Sequence, residues 1–139
     1  MRRKVFVNMP VKDLQASIAF FAALGWAHEP MFTDETASCI VISEEIYAMV
    51  ITEPRFQEFT NGTVADGKAV TEFITALSCD SREEVDQLAE RALSAGASDW
   101  KPTMDQGPMY GRSFADLDGH AWELIYMDMS QMPPAPQES

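Results

Sequence analysis

An α+β domain built from two packed βαβββ units, β-rich with its helices on the outside, is the architecture this 139-residue chain points to. Three observations carry that expectation. A short β-type run followed by a capped helix occurs twice, over residues 5–25 and 72–96. Gly25 and Gly96 stop the two helices at equivalent places. Each helix is then followed by a hairpin, residues 40–52 in the first half and 113–127 in the second. Repetition of this kind fixes architecture, because one unit alone would leave a sheet face bare.

The elements follow in order. Residues 5–9 alternate as a short strand closed by Pro10. Asp13 reads as an N-cap, since its carboxylate accepts from an orphan amide of the first turn. Leu14, Ile18, Phe21 and Leu24 follow at helical spacing, and Gly25 is the stop. Residues 26–32 lead to a turn at Thr33-Asp34-Glu35. Strands are then expected over 37–43 and 46–52, joined by a turn at Glu44-Glu45. Residues 53–70 form a polar, turn-rich connector with Asn61-Gly62 and Asp66-Gly67, and a helical turn is expected at 55–59. In the second half, residues 72–79 read as a strand. Ser81 with Glu84 is a capping box. Val85, Leu88, Ala92 and Leu93 form an apolar stripe ended by Gly96. Residues 99–102 lie near an edge strand, and strands over 112–115 and 121–127 flank the turn Asp116-Leu117-Asp118-Gly119. The domain is expected over 1–128, with units at 5–52 and 71–128, followed by a mobile tail at 129–139 rich in proline.

Bulk properties exclude several classes. Ten Lys and Arg stand against 22 Asp and Glu, a formal charge of -12. Phosphate backbones and anionic membrane surfaces need clustered cations, so neither nucleic acid nor membrane is an expected partner. No apolar run is long enough to span a bilayer, and the basic start, Met1 to Lys4, has no long apolar region behind it. A cytoplasmic protein acting on a small molecule is the expectation. Cys39 and Cys79 are far apart in apolar stretches and read as reduced, buried thiols.

Two segments resemble a known superfamily. Val11-Lys12-Asp13-Leu14-Gln15-Ala16-Ser17-Ile18-Ala19-Phe20-Phe21, followed by Leu24-Gly25-Trp26, resembles the opening of the vicinal oxygen chelate proteins. Phe114-Ala115-Asp116-Leu117-Asp118-Gly119-His120-Ala121-Trp122-Glu123-Leu124 resembles their closing F-x-D-P-D-G-x-x-x-E-L. The likeness covers residues 5–127. It implies the glyoxalase/bleomycin resistance/dihydroxybiphenyl dioxygenase fold, with curled mixed sheets around a cavity, and within that superfamily the chain looks similar to lactoylglutathione lyase-like proteins. It also implies a homodimer or an intimate monomer. In the superfamily's metal enzymes a divalent ion in the cavity is held by His, Gln or Glu from the first and last strands of the units. The ion acts as a Lewis acid on a substrate with neighbouring oxygens.

Carried over residue by residue, those ligand positions fall on Phe6, on Met49 or Val50, on Ile74 and on Glu123. Only Glu123 has a donor of the required kind, and the neighbours Val5, Val7, Phe73 and Thr75 add no strong ligand. A site of three or four protein ligands is therefore not expected, and no cofactor is predicted. A cavity lined by Phe6, Asn8, Met49, Ile74 and Glu123 is expected instead. Tyr110 and Arg112 are placed at its mouth, in the Gly107-Pro108-Met109-Tyr110-Gly111-Arg112 loop.

Each residue has a blander reading. Glu123 is either a general base with a raised pKa or a carboxylate bonded to Tyr or Arg, or facing solvent. Arg112 either grips a ligand carboxylate or pairs with Asp116 or Asp118. His120 reads as a solvated turn residue and His28 as a strand-edge residue. The nine methionines suit an adaptable pocket or plain core filling. Three functional readings stay open: a metal-free binding protein for a small, partly apolar ligand; a lyase or dioxygenase using Glu123, with a divalent metal or by proton transfer; and a structural or regulatory dimer.

Overall fold

The computed structural model describes residues 1–131. The expected mobile tail lies largely outside the described residues; its start, Met129–Gln131, is a 3-10 turn.

The first unit runs β1 (Val5–Val11), α1 (Leu14–Ala23), β2 (His28–Glu29), β3 (Ala37–Val41) and β4 (Ile46–Thr52). A connector begins with α2 (Glu53–Phe59). The second unit runs β5 (Ile74–Ser78), α3 (Arg82–Ser94), β6 (Ser98–Asp99), β7 (Met104–Gln106), β8 (Met109–Ala115) and β9 (Ala121–Met127). The units form two mixed sheets, ordered β1-β4-β3-β2 and β5-β9-β8-β6, with β7 also pairing β8. In each sheet the first strand runs parallel to the last and the remaining pairs are antiparallel. The α+β class and the paired units are as the sequence predicts.

β1 is longer than expected and passes through Pro10. Proline is tolerated there because β1 is an edge strand paired only with β4. The helix caps are as read: Asp13 accepts from the Ala16 amide at 3.0 Å, and Ser81 from the Glu84 amide at 3.0 Å. Glu84 reaches back to the Asp80 amide at 3.1 Å. Gly25 and Gly96 hold φ of 93° and 113°, the left-handed region that favours glycine. The segment 107–112, expected as a loop, instead forms the turn and first part of β8 in the β7–β8 hairpin, because Met109, Tyr110 and Gly111 find ladder partners on both sides and Arg112 pairs with β9.

One core joins the units. Val7, Met9 and Val11 of β1, Ala48 and Val50 of β4, and Leu77, Trp122 and Leu124 of the second sheet turn toward the helices. Its centre is aromatic: Phe21 lies 5.6 Å from Trp122 and 6.0 Å from Trp26, and Phe20 lies 6.2 Å from Phe114. First-unit rings therefore pack directly on second-unit strands. The opposite parity puts Phe6 and Asn8 of β1, Met49 of β4, Ile74 of β5 and Glu123 of β9 on the faces turned away from the helices.

Candidate functional site

The turn between β8 and β9 is the keystone of the seam. Asp116 is buried, and its carboxylate accepts from the Asp118 amide (3.0 Å), the His120 amide (3.0 Å) and Trp122 Nε1 (2.9 Å). Burial pushes its carboxyl above the ordinary range, against the pull of His120 and these donors. The turn then grips the first unit. Asp118 accepts from the Lys12 amide at 2.9 Å, and His120 Nε2 lies 2.7 Å from the Pro10 carbonyl oxygen. It also grips the connector. Gly119 has φ of 86°, and a Cβ there would stand 2.6 Å from Lys68 N and from Gly67 C. Two glycine backbones thus meet where no side chain fits.

These contacts bring the C-terminal end of β1 to the start of β5. The other ends also meet, since Ile46, opposite Val5 in the ladder, lines a cleft with Leu77 and Ser78 of β5. The two edge strands run past each other without pairing, so the sheet system is curled and open. At the Pro10 end, α2 and the connector flank the seam and form a partly open cavity of about 280 Å³. Its walls are Asn8, Met9 and Pro10 of β1, Phe56 of α2, Val64, Val70, Glu72 and Phe73 of the connector, Thr75 of β5, and His120.

The expected site residues fall into three groups. Phe6, Asn8 and Met49 share one open face; Asn8 is opposite Met49 in the ladder, and Phe6 stacks on Tyr47 at 4.8 Å. Ile74 and Glu123 share the equivalent face of the second sheet. Glu123 is half-buried, level with Ala76 and opposite Ser113. Among the described residues no Tyr or Arg bonds its carboxylate. Tyr110 and Arg112 form the third group, and here the structure corrects the expectation. They alternate with Gly111 and Ser113, so they point to α3, away from Glu123. Tyr110 Oη donates to Asp86 at 2.6 Å, and Arg112 pairs with Glu90 at 2.8 Å and Asp86 at 3.3 Å. Asp116 and Asp118, expected as partners of Arg112, serve the turn instead. His120 is also corrected: it is a half-buried cavity wall, not a solvated turn residue. His28 is exposed on β2, and both cysteines are buried.

Asn8 is the one expected ligand-binding residue that also lines the cavity. The residues supplied by α2 and the connector carry no motif. The Asn-Gly and Asp-Gly turns signal a loop there but not what it covers.

The superfamily's divalent ion finds a poor donor set in this chain. Phe6 and Ile74 have no lone pairs, Met49 offers a soft thioether, and Glu123 alone is a hard oxygen ligand. Among the described residues no group of three His, Cys, Asp or Glu is placed to hold a metal. The residues at these positions do not fit that ion.

The profile of the Glyoxalase/Bleomycin resistance protein/Dioxygenase superfamily matches residues 5–124. The paired units and the seam thus define the class, and the chain belongs to that superfamily. Among solved structures it is similar to a hypothetical protein, SA1046, of S. aureus. That match has 26% identity and a TM-score of 0.76, covering 91% of this chain and 94% of the other. It is similar in fold to a glyoxalase/bleomycin resistance protein/dioxygenase family enzyme of Burkholderia phytofirmans, with 16% identity, TM-score 0.72 and coverage of 88% and 96%. The fosfomycin resistance protein FosX of Listeria monocytogenes shares 20% identity at TM-score 0.66, with coverage of 94% and 98%. No curated protein matches the chain. Among the described residues no helix is long and apolar enough to cross a membrane.

Proposed function

We propose that this protein binds a small, partly apolar molecule at the seam between its two units, without the superfamily's divalent ion. The ligand sits in the cavity beside the connector, and the open face carrying Phe6, Asn8, Met49, Ile74 and Glu123 extends its floor. The observation that carries this reading is the cavity itself, about 280 Å³ between the two edge strands. It lies at the small end of the range for ligand pockets, and it combines apolar walls with a few polar groups as such pockets do. The donor set at Phe6, Met49, Ile74 and Glu123 supports the metal-free part.

A homodimer belongs to the same proposal. Val5, Phe6, Phe73 and Ile74 hold large apolar side chains exposed by 51%, 51%, 54% and 40% along the two unpaired edges. A second copy covering these edges would remove them from water. Sedimentation should then show a dimer that Phe6→Glu dissociates.

Ala65 lies exposed on the connector side of the cavity wall. Ala65→Trp fills the space without entering the core. In a ligand screen by thermal shift, hits on the wild type should vanish in this variant while its own melting temperature stays close to wild type. Hits that survive the filling place the binding elsewhere and defeat the reading. Glu123→Gln tests the open face: its stability should match or exceed wild type, with weaker ligand response.

A further inference from the structure

We infer that the cavity selects a small apolar amine, bound as its ammonium form, over carboxylate or phosphate ligands. This rests on the reading of the cavity as a small-molecule site and adds the chemical class of its occupant.

The polar groups on the wall are the argument. Among the described residues that line the space, Glu72, itself exposed, is the one formally charged residue, and no Lys or Arg lines it. Lys68, next to Gly67, is exposed and outside the wall. Arg55, next to Phe56, is taken up by Glu58 at 2.9 Å and by the Phe59 ring. An anion entering here would lose its hydration and meet no countercharge.

The remaining fixed groups each keep an acceptor free. His120 Nε2 faces the Pro10 carbonyl oxygen at 2.7 Å. A carbonyl can only accept, so Nε2 carries the proton, and in the neutral ring Nδ1 holds a lone pair. Among the described residues nothing donates to Nδ1. Asn8 Nδ2 donates one N–H to the Phe6 carbonyl at 3.0 Å, which leaves Oδ1 free to accept and the second N–H free to donate. The wall thus offers a carboxylate, an imidazole nitrogen and an amide oxygen, together with threonine hydroxyls able to play either part.

The apolar part suits a cation as well. Phe56 and Phe73 contribute two aromatic rings, whose faces attract ammonium groups. Behind His120 stands the buried carboxyl of Asp116, and the whole chain carries -12. Both raise the local preference for positive charge.

The test uses three probes of one shape: benzylamine, benzyl alcohol and benzoate. Each is titrated into ¹⁵N-labelled protein at neutral pH, with the amides of Gly67, Thr71 and Gly119 as reporters. Benzylamine should bind roughly tenfold more tightly than benzyl alcohol, about what one partly exposed charge contact and a ring contact supply. Benzoate should bind more weakly than the alcohol. Glu72→Gln should remove most of the advantage of the amine and leave the alcohol unchanged. If benzoate or the alcohol equals the amine while the same amides move, the amine class is wrong and the cavity reading stands. If no probe moves those amides, the cavity is not a ligand site and both readings fall. An amine preference that survives Glu72→Gln intact also overturns the assignment, because the countercharge would then lie elsewhere.

Discussion

Helices α1 and α3 stand at equivalent places in the two units but are held by opposite means. α1 buries Leu14, Ser17, Phe20 and Phe21, and its two phenylalanines reach Phe114 and Trp122 of the other unit. α3 buries only Val85, Ala89 and Ala92. Half-buried Leu88 also packs against the core, and the rest of the helix's attachment is polar: Arg112 to Asp86 and Glu90, Tyr110 to Asp86, and Arg82 to Asp105 at 2.8 Å. The same topology thus carries two kinds of adhesive. The helix that also glues unit to unit is aromatic, because it loses water to both sheets. The helix that covers one sheet is small-sided, with charge at its margin. Large buried side chains stabilise far more than exposed ion pairs, so the two attachments should fail differently.

The largest effect should come from the aromatic centre. Phe21→Ala or Trp122→Ala should lower stability by about 3–5 kcal/mol in urea unfolding. Val85→Ala, the largest truncation α3 offers in the core, should lower it by roughly 2 kcal/mol. Equal losses at Phe21 and Val85 would break the comparison.

Next comes the turn that ties the second unit to the first. Asp116→Ala strands the Trp122 indole N–H and two turn amides, and about 3 kcal/mol should be lost. Its pH dependence sharpens the point. The native carboxyl is raised above the ordinary 3.8, so the folded state holds its proton to higher pH than the unfolded state. The contribution of that proton is fully present below 3.8 and fades as pH rises through the raised native value. Stability of the wild type relative to Asp116→Asn should therefore fall over that interval, as read by thermal unfolding at a series of pH values. A flat difference would mean the carboxyl is not held as described.

A smaller effect is expected at the charged margin of α3. Arg112→Met keeps the stem and removes the charge, and roughly 0.5–1 kcal/mol should be lost. Raising the salt concentration should shrink that loss and leave the Phe21→Ala loss unchanged. The smallest response should come from the cysteines. Burial, followed by the Glu84 carboxylate, pushes the Cys79 thiol up to about 12, and burial also raises Cys39. Neither should react with a thiol reagent at pH 8 until the protein unfolds; a fast native reaction would show that its cover opens.

Much of the fold was legible because its signals are local. Caps at Asp13 and Ser81, stops at Gly25 and Gly96, and the apolar strand runs of β4 and β9 act within a few residues of themselves, and the structure keeps each one. Strand parity likewise grouped Phe6 with Asn8, and Ile74 with Glu123 by way of the ladder. The Gly107–Arg112 segment misled because glycine and proline signal a break. They do not reveal that the β7 and β9 ladders pull the break into a hairpin, which turns Tyr110 and Arg112 toward α3.

What the chain alone determined is therefore the pair of βαβββ units and the absence of a full set of ion-binding side chains at the superfamily's positions. The first follows from residue type and short-range periodicity, the second from the superfamily resemblance carried over residue by residue. Only the tertiary structure decided that the cavity lies beside the connector and that His120 is one of its walls. That outcome depends on Gly67 meeting Gly119 and on His120 meeting Pro10, contacts between residues 52 and 110 positions apart. No local pattern encodes such meetings, because they arise only once both units have folded and closed on a shared core.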